Sequence, residues 1–163
     1  MAEADTQLLD IEDDETEQEI SEWLSFRLAG LDYAVDILRV REIRVWQEST
    51  RIPYSPNYVN GLINLRGAIV PIVDLRLRLG LESRDYDDET VILIMDVELK
   101  TGSKTIGIIV DAISEVVQTN AANSQLSPDF DLAIDRRFVS GITEDQERMV
   151  ILLHVDSLLD LDI

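Results

Sequence analysis

Period-two alternation in short runs is the feature that most limits what this chain can become. In EWLSFRLAG, Leu24, Phe26 and Leu28 fall on one side, Ser25 and Arg27 on the other, and the run stops at Gly30. LDYAVDI resumes the alternation, and two such runs joined by so brief a connection predict an antiparallel hairpin. TVILIMDVEL and KTIGIIVDAISEVVQ flank a turn-forming stretch, Lys100 to Lys104, and predict a second hairpin with longer arms. RRFVSGITEDQERMVILLHV predicts a third pair of strands. Helix is left with single turns. One spans Asp36 to Arg39, ahead of a strand through VREIRV; one starts at Ser55-Pro56, serine as N-cap and proline in the first helical position, and runs to about Val59; the last is DSLLDL, capped by its aspartate. Many short antiparallel strands and so little helix predict an all-β barrel or sandwich, with a coarse likeness between two halves of about five strands each.

The stretch NGLINLRGAIVPIVDLR, Asn60 to Arg76, is strand-like in its apolar content but holds Arg66-Gly67 and Pro71. A proline removes a ladder donor, so Pro71 is expected at a barrel edge or bend, ending one strand segment and letting the chain turn into the next. Gly67 would admit a close approach by a partner or a neighbouring backbone. Arg66 is a cation expected on a rigid strand in an apolar neighbourhood, and the residues alone leave its role open.

Charge and composition remove several functions. The chain has 163 residues, no cysteine and a net charge of -19, from 33 acids against 14 lysines and arginines. One domain of this size buries roughly two-thirds of its unfolded surface and needs no disulfides. Residues 1 to 20 hold nine acids and no base, which leaves -10 on the remainder. They read as a disordered, solvated tail that adds solubility or recruits a partner, ahead of a single domain over residues 21–163. An acidic body argues against nucleic acid and anionic lipid, which need clustered cations. The only lysines are Lys100 and Lys104, and an acidic, lysine-poor surface suits a salty cytoplasm. The N-terminus has neither the basic start nor the apolar middle of a signal peptide, and no apolar run reaches the ~20 residues of a membrane span, so a cytoplasmic protein without direct membrane insertion is expected.

Candidate chemistry is sparse. His154 is the single histidine, at the end of an apolar strand, and is read as structural; no spacing supports a metal site, a cofactor or a catalytic triad. Gly102-Ser103-Lys104-Thr105 lacks the earlier glycine of a phosphate-binding loop and is read as a hairpin turn. Asp85 to Glu89 lacks calcium-loop spacing and is read as a solvated loop. Asp74 and Asp111 each close an apolar strand, which leaves a small β-barrel hydrolase as the weaker alternative. What remains is surface: ILRVREIRVW sets Val40 and Ile43 among Arg39, Arg41, Glu42 and Arg44, which fits a protein-binding face or an ordinary strand with a charged outer side.

The order YAVDILRVREI, TRIP, NGLINLRGAIVPIVDLR, IGIIVDAISEVV, FVSGI and MVILLHVDSLL resembles the CheW family of chemotaxis coupling proteins, over about Trp23 to Leu159. The resemblance implies two intertwined SH3-like five-stranded barrel subdomains packed on a shared apolar interface, no catalytic activity and no cofactor. It implies two partners, the regulatory domain of the histidine kinase CheA and the cytoplasmic tip of methyl-accepting chemoreceptors, and a place at receptor arrays reached through them. A CheW-like scaffold in another chemosensory route, such as twitching motility or second-messenger control, is the alternative. Carried over residue by residue, the implied partner-binding positions are Val40, Glu42, Gly61, Arg66 and Val91, with Gly67 beside Arg66. Val40 and Val91 would belong to an apolar groove for receptor helices, and Arg66 and Glu42 would pair to orient that surface.

Overall fold

A computed structural model describes residues 20–120 and 133–161. The expected acidic tail, Ile20 apart, and most of the polar loop around Pro128 lie outside the described residues. Among the described residues ten strands form two five-stranded sheets. They are β1 Ser21–Leu28, β2 Leu31–Asp36, β3 Val40–Val45, β4 Val59–Leu65, β5 Ala68–Asp74, β6 Val91–Leu99, β7 Gly102–Val110, β8 Ala112–Thr119, β9 Val139–Asp145 and β10 Arg148–Leu153. The first sheet runs β8-β1-β2-β10-β9 and the second β3-β6-β7-β5-β4. Each is antiparallel except for one parallel contact, β2 with β10 and β5 with β7.

Three local expectations are corrected. Ser55-Pro56 starts no helix: Ser55 Oγ donates to the Ile52 carbonyl at 2.8 Å, Val59 N–H donates to the Pro56 carbonyl at 3.0 Å, and Val59 opens β4. The arm KTIGIIVDAISEVVQ is two strands, because at Asp111 the chain leaves the second sheet as β7 and enters the first as β8. The last helical turn, Val155–Leu158, is capped by His154, whose Nδ1 accepts from the Ser157 N–H at 3.3 Å, so the aspartate lies inside the turn. The turn of helix before β3 is a 3-10 turn, Ile37–Arg39, capped by Asp36.

The central strands are buried on both faces, which is why VILIM and IGIIV read as continuous apolar runs. Ile92 and Ile94 of β6 face a small core with Ile63, Leu65, Val70, Ile72 and Ile109, the interior of the second barrel. Their neighbours Leu93, Met95 and Val97 face a larger core shared by both sheets, with Leu24, Phe26, Leu28, Tyr33 and Val35. Ala34, Val150 and Leu152 make the interior of the first barrel. Each fully buried side chain of the shared core contributes roughly 1.5–3 kcal/mol, so the two barrels are held by one apolar interface.

The coarse likeness of halves becomes a repeat once the strands are placed. Tyr58–Leu79 and Phe138–Leu159 run in step without a gap, 80 positions apart, through strand, two-residue turn, strand and helical turn. Arg66-Gly67 (φ 51° and 89°) matches Gln146-Glu147 (φ 52° and 69°), both turns of the type whose central residues have positive φ. The halves exchange hairpins: β1-β2 joins β8, β9 and β10, whereas β6-β7 joins β3, β4 and β5. Two bidentate ion pairs hold the exchanged parts, with signs reversed. Arg76 donates to Asp111 at 3.0 and 2.6 Å, and Asp111 also accepts the Ala29 N–H in the β1-β2 turn at 3.0 Å. At the equivalent place of the other half stands Asp156, which accepts from Arg39 at 2.7 and 2.8 Å and from the Glu98 N–H on β6 at 2.9 Å. Between the halves, the Arg78 guanidinium lies over the rings of Tyr58 and Phe138, 4.8 and 4.9 Å from their centroids, two aromatic residues that are themselves repeat-mates.

Candidate docking surface

β3 is an edge strand with a bulge at Arg41: Val40 pairs with Met95 and Glu42 with Ile94, leaving Arg41 without an opposite number. Beyond the bulge the strand exposes Ile43 (48%) and Val45 (75%) and half-buries Glu42 and Arg44. β4 is the other edge of the same sheet, so Arg66, in the β4-β5 turn, reaches back across the seam of the barrel. Its guanidinium donates to Glu42 Oε1 at 2.6 Å, and Arg44 donates to Glu42 Oε2 at 2.9 Å. The bonds from Arg66 first and Arg44 second hold the Glu42 carboxyl below the usual carboxylate range, and Glu42 in turn raises Arg66. The result is a fixed carboxylate flanked by guanidiniums, with Ile43 next along the strand on its other face and Ile69, 61% exposed, lining the same groove as Arg66.

The expected pairing of Glu42 with Arg66 is therefore present, but Arg66 is carried by a tight turn and not by a strand. Gly67 is needed for its φ of 89°, since nothing lies within 4 Å of where its Cβ would be. Pro71 lies inside β5 opposite Leu62 and ends nothing; the parallel pairing of β5 with β7 begins one residue later, at Ile72. Gly61 is buried in β4, where a Cβ would stand 2.4 Å from Ser49 Oγ and 2.5 Å from the Thr50 carbonyl oxygen, so it serves the close approach of two backbone segments. Val40 and Val91 both pack at the margin of the shared core, but they are not brought together: Val91 pairs with Val45, five residues along β3 from Val40, about 17 Å at ~3.4 Å per residue. The carboxylates of the hydrolase alternative are engaged elsewhere. Asp74 accepts from the Tyr86 hydroxyl at 2.6 Å and caps the helical turn Leu75–Arg78, and Asp111 is held by Arg76. Among the described residues no group of three or more His, Cys, Asp or Glu side chains is placed to hold a metal ion.

Sequence reasoning missed a second surface of the same design. The bulge in β8, opposite Ser25 of β1, places Glu115 where the bulge of β3 places Glu42. Glu115 accepts from Arg148 at 3.1 Å, beside the β9-β10 turn, the repeat-mate of the turn that carries Arg66. The exposed apolar residues correspond too: Val116 (48%) to Ile43, 73 positions apart by the paired bulges, and Met149 (53%) to Ile69, 80 positions apart. The one signal available in the letters was the in-step match of VNGLIN with VSGITE, weak because only the valine, the glycine and the apolar character of the next residue coincide.

Two interlocked SH3-like barrels, each with exposed apolar residues and a glutamate–arginine ion pair on its surface, define a protein-binding scaffold. The comparisons name the family. Residues 22–162 match the CheW-like domain. The chain is 37% identical to the chemotaxis protein CheW of Klebsiella aerogenes over 138 residues, 85% of this chain and 81% of that one, and 32% identical to the chemotaxis protein CheW of Bacillus subtilis over 83% of this chain and 84% of that one. The crystal structure of the scaffolding protein TtCheW from Thermoanaerobacter tengcongensis superposes with a TM-score of 0.77 at 32% identity, covering 87% of this chain and 94% of that chain. The chain belongs to the CheW family of chemotaxis scaffold proteins.

Proposed function

We propose that the chain is a non-catalytic adaptor that couples methyl-accepting chemoreceptors to the regulatory domain of the histidine kinase CheA, and that it reaches receptor arrays through these partners. The observation that carries this reading is the duplication of the surface. An adaptor must hold two proteins at once, and the repeat supplies an apolar pair with its glutamate–arginine bridge on each barrel: Ile43 and Ile69 with Glu42–Arg66, Val116 and Met149 with Glu115–Arg148. Exposed apolar anchors beside arginines are the composition of interface hot spots, and affinity would come from these barrel surfaces. The test is a pull-down with a CheA regulatory-domain fragment and a receptor cytoplasmic fragment. Arg66→Ala is expected to keep the fold and weaken receptor or ternary-complex binding; unchanged binding removes Arg66 from the site.

A further inference from the structure

The ladder between β5 and β7 is short. It joins Ile72–Asp74 to Gly107–Ile109, although β5 is paired with β4 from Ala68 onward and β7 with β6 from Gly102 onward. Ahead of Ile72 the two neighbours separate, and a groove opens in the barrel surface between them. Pro71 stands at its inner end, where a missing N–H costs no bond to β7. Leu65, Ile69 and Pro71 give the groove an apolar lining, Arg41, Arg66 and Lys104 give it three cations, and among the described residues no carboxylate lines it. On a chain of net charge -19 with two lysines that is an exception. Other grooves are lined by Asp36 with Asp156, by Asp87 with Asp88, and by Asp74 with Asp85. Arg41 and Arg66 are paired with Asp96 and Glu42, yet their side chains remain 58% and 70% exposed, with donors to spare.

We propose that this groove docks an extended segment of a protein partner in which apolar side chains alternate with carboxylates. The occupant is extended because the walls are strand edges that present unpaired main-chain groups, and an added strand satisfies them. It is acidic because the rim is cationic, and alternation places one row of side chains on the apolar floor while the other meets Arg41, Arg66 and Lys104. This rests on the adaptor reading, since it names the surface and the chemistry by which one of the two partners is held.

A short synthetic peptide alternating Glu and Val, set against its Lys–Val counterpart, tests the groove on the full chain at low salt. The bulk charge of the protein favours the lysine peptide, so a preference for the acidic one must come from a local site. The expected result is at least ~10-fold tighter binding of the acidic peptide, amide NMR shifts confined to Ala68–Val70 and Lys104–Ile106, and a ~10-fold loss on Lys104→Glu. A preference for the lysine peptide, shifts elsewhere, or binding indifferent to Lys104→Glu overturns the proposal. The adaptor reading is tested separately by the pull-down, so the acidic peptide can fail while that reading stands.

Discussion

At position 66 the backbone and the side chain make different demands. The turn requires positive φ at both central residues, which arginine tolerates poorly, while Glu42 across the seam is served by the guanidinium. Arg66→Asn separates the two, because asparagine accepts that backbone conformation and cannot supply the charge. We expect its thermal midpoint to equal or exceed that of the parent while receptor or kinase binding falls; calorimetry beside the pull-down checks both. Gly61 is the opposite case. A methyl group there meets the Thr50 backbone at 2.5 Å, and Gly61→Ala should cost about 3 kcal/mol in chemical denaturation, with any loss of binding following the loss of fold. Both glycines stand in one motif, and the letters could not say that Gly67 serves a turn and Gly61 a crossing of backbones. That distinction depends on residues 49 and 50, which reach β4 only through the tertiary fold.

At the scale of elements, the exchanged hairpins depend on two carboxylates. Burial alone would raise the Asp111 carboxyl, but the bonds from Arg76 and the Ala29 N–H outweigh it and hold the group below its usual value. At Asp156 the bonds from Arg39 dominate, against burial, with the Glu98 N–H adding to them. A carboxyl whose folded pKa lies below its unfolded value of about 3.9 contributes stability that is complete above that value and is lost as pH falls through the folded pKa. Unfolding free energy should therefore fall on acidification below about pH 4, with a shallower slope in Asp156→Asn, measured by urea titration at a series of pH values. Arg76→Ala leaves the largely buried Asp111 with only Arg84, at 3.6 Å, as a cation, and should cost about 2 kcal/mol at neutral pH. Element type was largely legible because alternation and Gly-containing turns are local: β1, β2, β9 and β10 lie where the sequence puts them. The split of one long arm at Asp111 was not, since β7 and β8 are contiguous in apolar character and differ only in the sheet they join. The helix expected after Ser55-Pro56 failed because the serine hydroxyl turns back to Ile52 and β4 claims Val59.

For the whole molecule, charge and symmetry set the terms. A net charge of -19 on 163 residues works against compaction, and screening relieves it; the thermal midpoint should rise by several degrees between dilute buffer and molar KCl, and a flat response would show that the repulsion is already neutralised. The all-β class was readable from the strand pattern and the family from its ordered motifs, but the second surface was not. Glu115 and Arg148 become partners only when β8 crosses to the sheet that holds β10. With both surfaces in view, the central claim is that one chain holds two proteins at once. Its most direct test is analytical ultracentrifugation of the chain mixed with a CheA regulatory-domain fragment and a receptor cytoplasmic fragment. We expect a ternary species in which Glu115→Ala with Met149→Ala loses one partner and Arg66→Ala with Ile69→Ala the other. Mutually exclusive binding, or loss of both partners from either pair of substitutions, would contradict it.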